Sequence, residues 1–466
     1  MTLAQELAAW AAALRFEALP REAVTSAADR IVDTLGIAFA ARETDAARAV
    51  GAVVRSWGGR GEATLIGEGR VSLPAAAAAF YNGTCAHALD FDDTHLPSVA
   101  HPSASLVPAV LAQGEACGAD GRALLTALVA GYEIYARLAM AQYDPELRNS
   151  VFFEHGLHAT SIIGTVAGAA ACAQLRGLGA EGIMHALAIA CSMGAGIVEA
   201  NRAGGSVKRM HCGWAAHGAI TAADLAANGL TGPPSVLEGR FGFFEAYCRD
   251  RWRADAVLDG LGTRWETPRI FFKLYPCNHF THAIVDAALA LRAQGVEADD
   301  IEHVRIGTAT ATHRTIGDPI EQKRHPQSPY HAAFSGPFVF ATAMAGGGGL
   351  GVGFDDFTEA ALADPRRMRL AEHTDVVVDA ACDAVFPEQF PAIVTVRLRD
   401  GREITERVLA NRGGGDRPLT REELSRKTEM TAGAPRARRL LEAAATLRDA
   451  GGPAPLFAAL AAPPFG

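Results

Sequence analysis

From residue 1 to about 265, apolar positions recur at helical spacing in long runs broken by Gly, Pro or Asn. Segments 21–43, 72–89, 102–116, 121–142, 156–175, 180–198 and 211–228 have the length and period of helices. Many are rich in Ala and Gly, as in "GTVAGAAACAQL", and side chains that small allow close helix packing in a largely buried bundle. After Lys273 the texture changes. One helical run, 279–293, is followed by alternation at 301–310, and further strands are predicted at 374–380, 392–398 and 403–409, with "RDGR" supplying an Asp-Gly hairpin turn. The tail, 420–466, returns to helical spacing. The pattern predicts a mainly α chain that leaves a helical domain, builds a smaller α+β domain and comes back.

Composition narrows the classes. With 466 residues, 49% hydrophobic and 20% charged, the chain is long enough for two domains and apolar enough for a sizeable core. A net charge of −9 argues against a nucleic-acid surface, which needs clustered Lys and Arg. The 8 cysteines are scattered without a CxxC pair, so neither a zinc cage nor a disulfide framework is expected, and a reducing cytoplasm fits. The N-terminus, "MTLAQELAAWAAALRFEALP", reads as an amphipathic helix rather than a signal peptide, and no uninterrupted run of membrane type is found. The expectation is a soluble cytoplasmic protein that meets neither membrane nor nucleic acid. The glycine run at 345–353 reads as a flexible loop and lacks the spacing and preceding strand of a dinucleotide site.

The stretch "ALDFDDTHLPSVAHPSASLVPAV", residues 88–110, crowds proton-carrying groups between apolar segments. Its "DFDDT" matches the DxDxT of haloacid-dehalogenase-type phosphatases, where one Asp attacks from the end of a strand. The preceding residues read as helix, against that assignment. Mg²⁺ on Asp90, Asp92 and Asp93 would call for a phosphate-holding loop, and none is visible. Taken singly, Asp92 and Asp93 read as residues that cap a helix and brace a loop. His95 and His101 make the cluster harder to dismiss: His101 and Ser103 stand just ahead of the next helix, where a carboxylate could bind. Elsewhere His155 and His158 share one turn at a helix start, Lys208 and Arg209 lie between a glycine-rich loop and a helix, and Lys273 sits where the texture changes. These are the parts of an anion site.

The segments "ALDFDDTH…HPSASLVPAVLA", "GLHATSIIG", "GGSVKRMHCGWAAHGAITAADLAANGLTGPPSVLEGRFGF", "FKLYPCNHFTHAIVDAAL" and "VTVRLRDGREITERV" with "PLTREELSRK" resemble the MmgE/PrpD family, in family order from about residue 5 to 445. The resemblance implies a large all-helical domain from both chain ends, 1–267 and 410–466, with an α+β lid inserted at 268–409. It implies enzymes such as 2-methylcitrate dehydratase, cis-aconitate decarboxylase and iminodisuccinate epimerase, which act on small di- or tricarboxylates without metal or organic cofactor, as homodimers. Carried over by motif, Asp90, Thr94, His101, His158, Lys208 and Lys273 fall on the polar site, with Ser103 and Asn278 beside them.

The implied roles are His101 as general acid or base, Asp90 orienting it, His158 assisting, and Lys208 and Lys273 stabilising negative charge. Thr94, Ser103 and Asn278 would contact substrate. Three departures stand out: the spacer "THLPSVAH" is longer than the family form, Asn278 takes the place of a histidine of the decarboxylases, with His279 and His282 near, and Phe338 replaces a tyrosine. The reading is a cofactor-independent lyase, a dehydratase or decarboxylase of a small polycarboxylate. The alternatives are an epimerase or isomerase of a substituted succinate, and a non-catalytic carboxylate-binding protein.

Overall fold

A computed structural model describes residues 1–69, 71–415, 417–449 and 451–462; the end of the tail read as helical, 463–466, lies outside them. The chain divides into two units, Met1–Ile270 with Thr428–Gly466, and Phe271–Lys427.

The first unit is helical. Six helices surround the residues of interest: Ala75–His87, Ser103–Cys117, Gly121–Ala141, Ala159–Leu175, Gly179–Cys191 and His211–Ala227. Ala159–Leu175 is buried on every side from Ala159 to Ala173, as its uniformly apolar and small composition demands. The first helix, Leu3–Ala13, opens on a reciprocal capping box between Thr2 and Gln5. Gly121–Ala141 starts on the Asp120 carboxylate, which accepts from the Ala123 N–H at 2.8 Å. It is long and apolar enough to cross a membrane, yet 94% of its most apolar window is buried inside the protein, which makes it a core helix. The predicted helix 180–198 stops at Cys191, and Asp45–Trp57 is a helix that the sequence pattern did not single out.

The second unit holds a four-stranded sheet of β1 (Ile301–Thr308), β2 (Thr374–Val378), β3 (Ala392–Leu398) and β4 (Glu403–Val408) in the order β4-β3-β1-β2. β1 pairs parallel with β2 and antiparallel with β3, and the β3–β4 hairpin sets Glu403 opposite Arg397. Val394, Val396 and Leu398 are buried with Ile284, Leu291 and Phe340, so alternate residues of β3 face the helices His282–Ala293 and Gly336–Met344. In the glycine run, the Asp356 carboxylate accepts from the N–H groups of Gly348 at 2.7 Å and Gly353 at 2.8 Å, a loop with defined anchors.

Segment 410–427, expected with the helical domain, belongs to the second unit instead. The physical reason is polar. The Asn411 amide meets His279 Nε2 at 3.1 Å, and Arg412 donates to Asp286 at 3.0 Å, to Glu423 at 2.6 Å and to the Tyr275 hydroxyl. Tyr275 in turn donates to Asp286 at 2.7 Å.

Candidate active site

Two facing glycines fix where the candidate chemistry sits. A Cβ on Gly83, in helix Ala75–His87, would stand 2.8 Å from Cα of Gly213 in helix His211–Ala227, and one on Gly213 would run into the Phe80 carbonyl and Thr84. Only backbone fits in that gap. The contact brings the end of one helix, His87, beside the start of the other, His211 and Cys212.

Four imidazoles of the first unit form a continuous group. Ring centroids lie 6.3 Å apart for His87 and His101, 5.5 Å for His87 and His158, and 5.1 Å for His158 and His211. His87 Nδ1 donates to Asp92 Oδ2 at 2.9 Å, both side chains being fully buried. His101 Nδ1 lies 2.8 Å from the Asp93 carbonyl and 3.0 Å from the Thr94 hydroxyl. A carbonyl only accepts, so Nδ1 carries the hydrogen, and neutral His101 presents a bare Nε2, the form of a general base. Its tautomer is thus set by the Asp93 carbonyl and Thr94, whereas the sequence reading gave the orienting role to Asp90.

Asp90 adopts a left-handed backbone, φ 51°, which Asp tolerates better than most residues. Its carboxylate lies 3.7 Å from Lys208 Nζ, on the turn Val207–Met210 that leads into helix His211–Ala227. Burial, then the charges of His87, Lys208, His211 and His101, hold His158 well below the usual imidazole range. His211 falls to about 4 through burial and the charges of His87 and Lys208. Both rings are therefore neutral near pH 7.

The surrounding loop is braced from below. Asp93 pairs with Arg30 at 2.9 Å, both 1% exposed, and accepts from the Ser103 N–H at 3.1 Å and from the Ser103 hydroxyl. That hydroxyl also lies 2.6 Å from the Tyr132 hydroxyl. Ser103, expected on the substrate, is committed to this internal network, because its Oγ has two buried polar neighbours to satisfy. His95, fully buried, sits between Ser98 at 2.8 Å and Glu266 at 3.2 Å. Burial pushes the Glu266 carboxyl up, but His95, Arg269 and Arg264 outweigh it and hold it at about 2. Glu133, paired with Arg137 at 2.7 Å, accepts from the N–H groups of Glu266 and Thr267, so the core helix anchors the brace.

The structure brings Asp90, Thr94, His101, His158 and Lys208 into one region of the first unit. Sequence reasoning passed over His87 and His211; the signal was present in "TCAHALDFDD" and "VKRMHCG", each a histidine within three residues of a group it did name. Lys273 and Asn278 belong to the second unit. Lys273 is 1% exposed. Asn278 caps a turn, accepting from the Phe280 N–H at 3.0 Å, and His282 is pushed well below the usual imidazole range by burial and then by the Lys273 charge. Phe338 is fully buried beside Ala332 and Ala361, as packing.

Among the described residues, His87, Asp92 and Cys212 place ligand-type atoms within 4.8 Å of one another and are the candidates to hold a metal. The His87–Asp92 bond occupies that side of the trio, and burial, then the Asp92 charge, pushes the Cys212 thiol well above its usual range. With two of its three groups already bonded to each other, the trio reads as a braced histidine.

Comparison with known proteins identifies the family. Residues 5–254 match the MmgE/PrpD N-terminal domain and residues 275–449 the MmgE/PrpD C-terminal domain. The chain is 29% identical to human cis-aconitate decarboxylase over 410 residues, 85% of this chain and 81% of the human one. It is 28% identical to the cis-aconitate decarboxylase of Aspergillus terreus over 329 residues, 67% of this chain and 66% of that enzyme. A cis-aconitate decarboxylase-like protein of Aspergillus oryzae is 25% identical over 440 residues, 91% of this chain and 89% of that protein.

Proposed function

Because the chain belongs to the MmgE/PrpD family, we propose that it is a lyase acting on a small tricarboxylate by acid–base catalysis, with decarboxylation of cis-aconitate as the leading reaction. The observation that carries this reading is the contiguous group of His87, His101, His158 and His211 with the Lys208–Asp90 pair at its edge. The names of the human and Aspergillus terreus relatives support the substrate.

In decarboxylation the bond to the departing carboxylate breaks, CO₂ leaves, and the electron pair stays on the substrate until a proton is delivered. Lys208 supplies fixed positive charge for a remaining carboxylate, which costs little reorganisation during reaction. A neutral imidazole N–H delivers the proton, and a bare imidazole nitrogen accepts one where the chemistry begins with C–H removal. Asp90 holds the Lys208 ammonium, and Thr94 holds His101. Lys273 and Asn278 are assigned to substrate binding by the family motif in which they stand, and the reaction is proposed to need neither metal nor organic cofactor, in the cytoplasm.

A homodimer is also proposed. Trp57 is 49% and Trp214 37% exposed, and with Phe80 and His217 they form one stacked aromatic group on the first unit, a composition typical of interface cores.

Replacing His101 with Gln tests the enzyme reading. Turnover of cis-aconitate is expected to fall by about 10²-fold or more, with calorimetric binding retained. Undiminished turnover would overturn the role of His101, and ligand binding without turnover in the wild type would favour the non-catalytic carboxylate-binding protein.

A further inference from the structure

His211 has no place in the proposed chemistry so far, yet its Nδ1 lies 3.1 Å from Nδ1 of His158. Both rings are buried, at 4% and 1% exposure. The surrounding backbone holds them there. The His158 N–H donates to the Gly196 carbonyl at 3.0 Å, and the Ser161 hydroxyl reaches the carbonyls of Ala195 at 2.7 Å and His211 at 2.9 Å. A Cβ on Gly196 would come within 3.0 Å of His158 Cβ and 3.3 Å of His211 Nδ1, so the segment closes over the bond.

Two nitrogens at that distance share one hydrogen. One ring must carry it on Nδ1 and therefore, when neutral, present a bare Nε2; the other must accept at Nδ1 and therefore carry its own hydrogen on Nε2. The pair is thus locked into opposite tautomers. Doubly protonated rings would lose the bond and place two cations side by side, with Lys208 and His87 close by.

We propose that His211 is a positioning residue: its Nδ1–H donates to Nδ1 of His158 and so fixes His158 as the Nε2–H tautomer, the proton donor that complements His101. The direction of the bond rests on the lyase reading, in which His101 already has the bare Nε2 of a base, so that an acid–base couple needs His158 in the other form. The opposition of the tautomers rests on geometry alone. Decarboxylation consumes one proton per turnover, so the proton that His158 gives up at Nε2 is replaced from solvent, which returns the ring to its neutral form, and the shared hydrogen stays on His211.

The first test uses the whole wild-type protein labelled with ¹⁵N-histidine, without substrate. Long-range ¹H–¹⁵N correlation near pH 7 is expected to show His158 with its hydrogen on Nε2 and His211 with its hydrogen on Nδ1; His158→Asn and His211→Asn assign the signals. The reverse pattern, or averaging between tautomers at His158, would overturn the proposal. The second test is kinetic. His211→Leu removes the donor and is expected to lower kcat for cis-aconitate by about 10²-fold or more at little change in KM, since general acid catalysis contributes about 10²- to 10⁴-fold and a wrong tautomer costs up to about 10⁴-fold elsewhere. His211→Asn keeps an N–H near the Nδ1 position and is expected to restore most of kcat; equal loss in both variants would overturn the positioning role. Opposite tautomers in a protein without lyase activity would defeat the reading of function and leave the locked pair standing, whereas lyase activity with an averaging His158 would defeat the pair alone.

Discussion

Burial of His158 and His211 in neutral form has a sign in pH. In the unfolded chain each imidazole titrates near its usual value of about 6.5, while in the folded protein His211 titrates at about 4 and His158 well below its usual range. The unfolded state therefore takes up more protons as pH falls below about 6.5, and stability is lost from there through the folded pKa. The melting temperature is expected to fall on acidification from pH 6.5 to 4, and to fall less steeply in His211→Asn; scanning calorimetry checks both. Lys208 makes a separate prediction. A hydrogen bond from an ammonium to a carboxylate contributes about 1.5–3 kcal/mol, so Lys208→Met is expected to weaken cis-aconitate binding by roughly 10- to 100-fold. Calorimetric titration showing unaltered affinity would refute the carboxylate contact. At this scale the sequence was partly legible. His101, His158 and Lys208 stand in recognisable motifs; His87 and His211 lie within three residues of Asp90 and Lys208, but that they share one site shows only when two helices bring them together. Ser103 looked like a substrate contact because its hydroxyl precedes a helix, and its buried partners, Asp93 and Tyr132, come from 10 and 29 residues away, beyond the reach of local pattern.

Helix packing depends on the Gly83–Gly213 contact, which sequence periodicity cannot reveal because glycine carries no apolar signal. A methyl group at Gly213 meets main chain, which cannot rotate away. Gly213→Ala is expected to destabilise the protein by about 1–3 kcal/mol and to lower turnover through displacement of His211; denaturant unfolding and kinetics read the two effects. The loop brace makes a sharper prediction. Arg30 is buried against Asp93, and removing one partner of a buried pair leaves an uncompensated charge, so Arg30→Met is expected to cost about 3–5 kcal/mol. Most helices and all four strands of the second unit were legible from period and turn chemistry. Asp45–Trp57 was passed over although its buried residues Ala46, Ala47, Val50, Gly51 and Val54 fall at helical spacing on one face.

The division into a helical unit from both chain ends and a second α+β unit follows from the change of texture near residue 270. Its far edge, Lys427, does not. The segment that holds Asn411 and Arg412 is polar and turn-rich, and what ties it to the second unit is a network of hydrogen bonds with His279, Tyr275, Asp286 and Glu423. For the assembly, sedimentation velocity is expected to find two copies, and Trp214→Asp to shift the distribution toward one; an unshifted dimer would place the interface elsewhere. The central claim, a lyase for a small tricarboxylate, meets its most direct test in proton NMR of the purified protein incubated with cis-aconitate in D₂O. The account predicts loss of the substrate signals with release of CO₂ and a product carrying one solvent-derived deuterium. Deuterium uptake without loss of a group, or an unchanged spectrum while the protein binds the ligand, would contradict it.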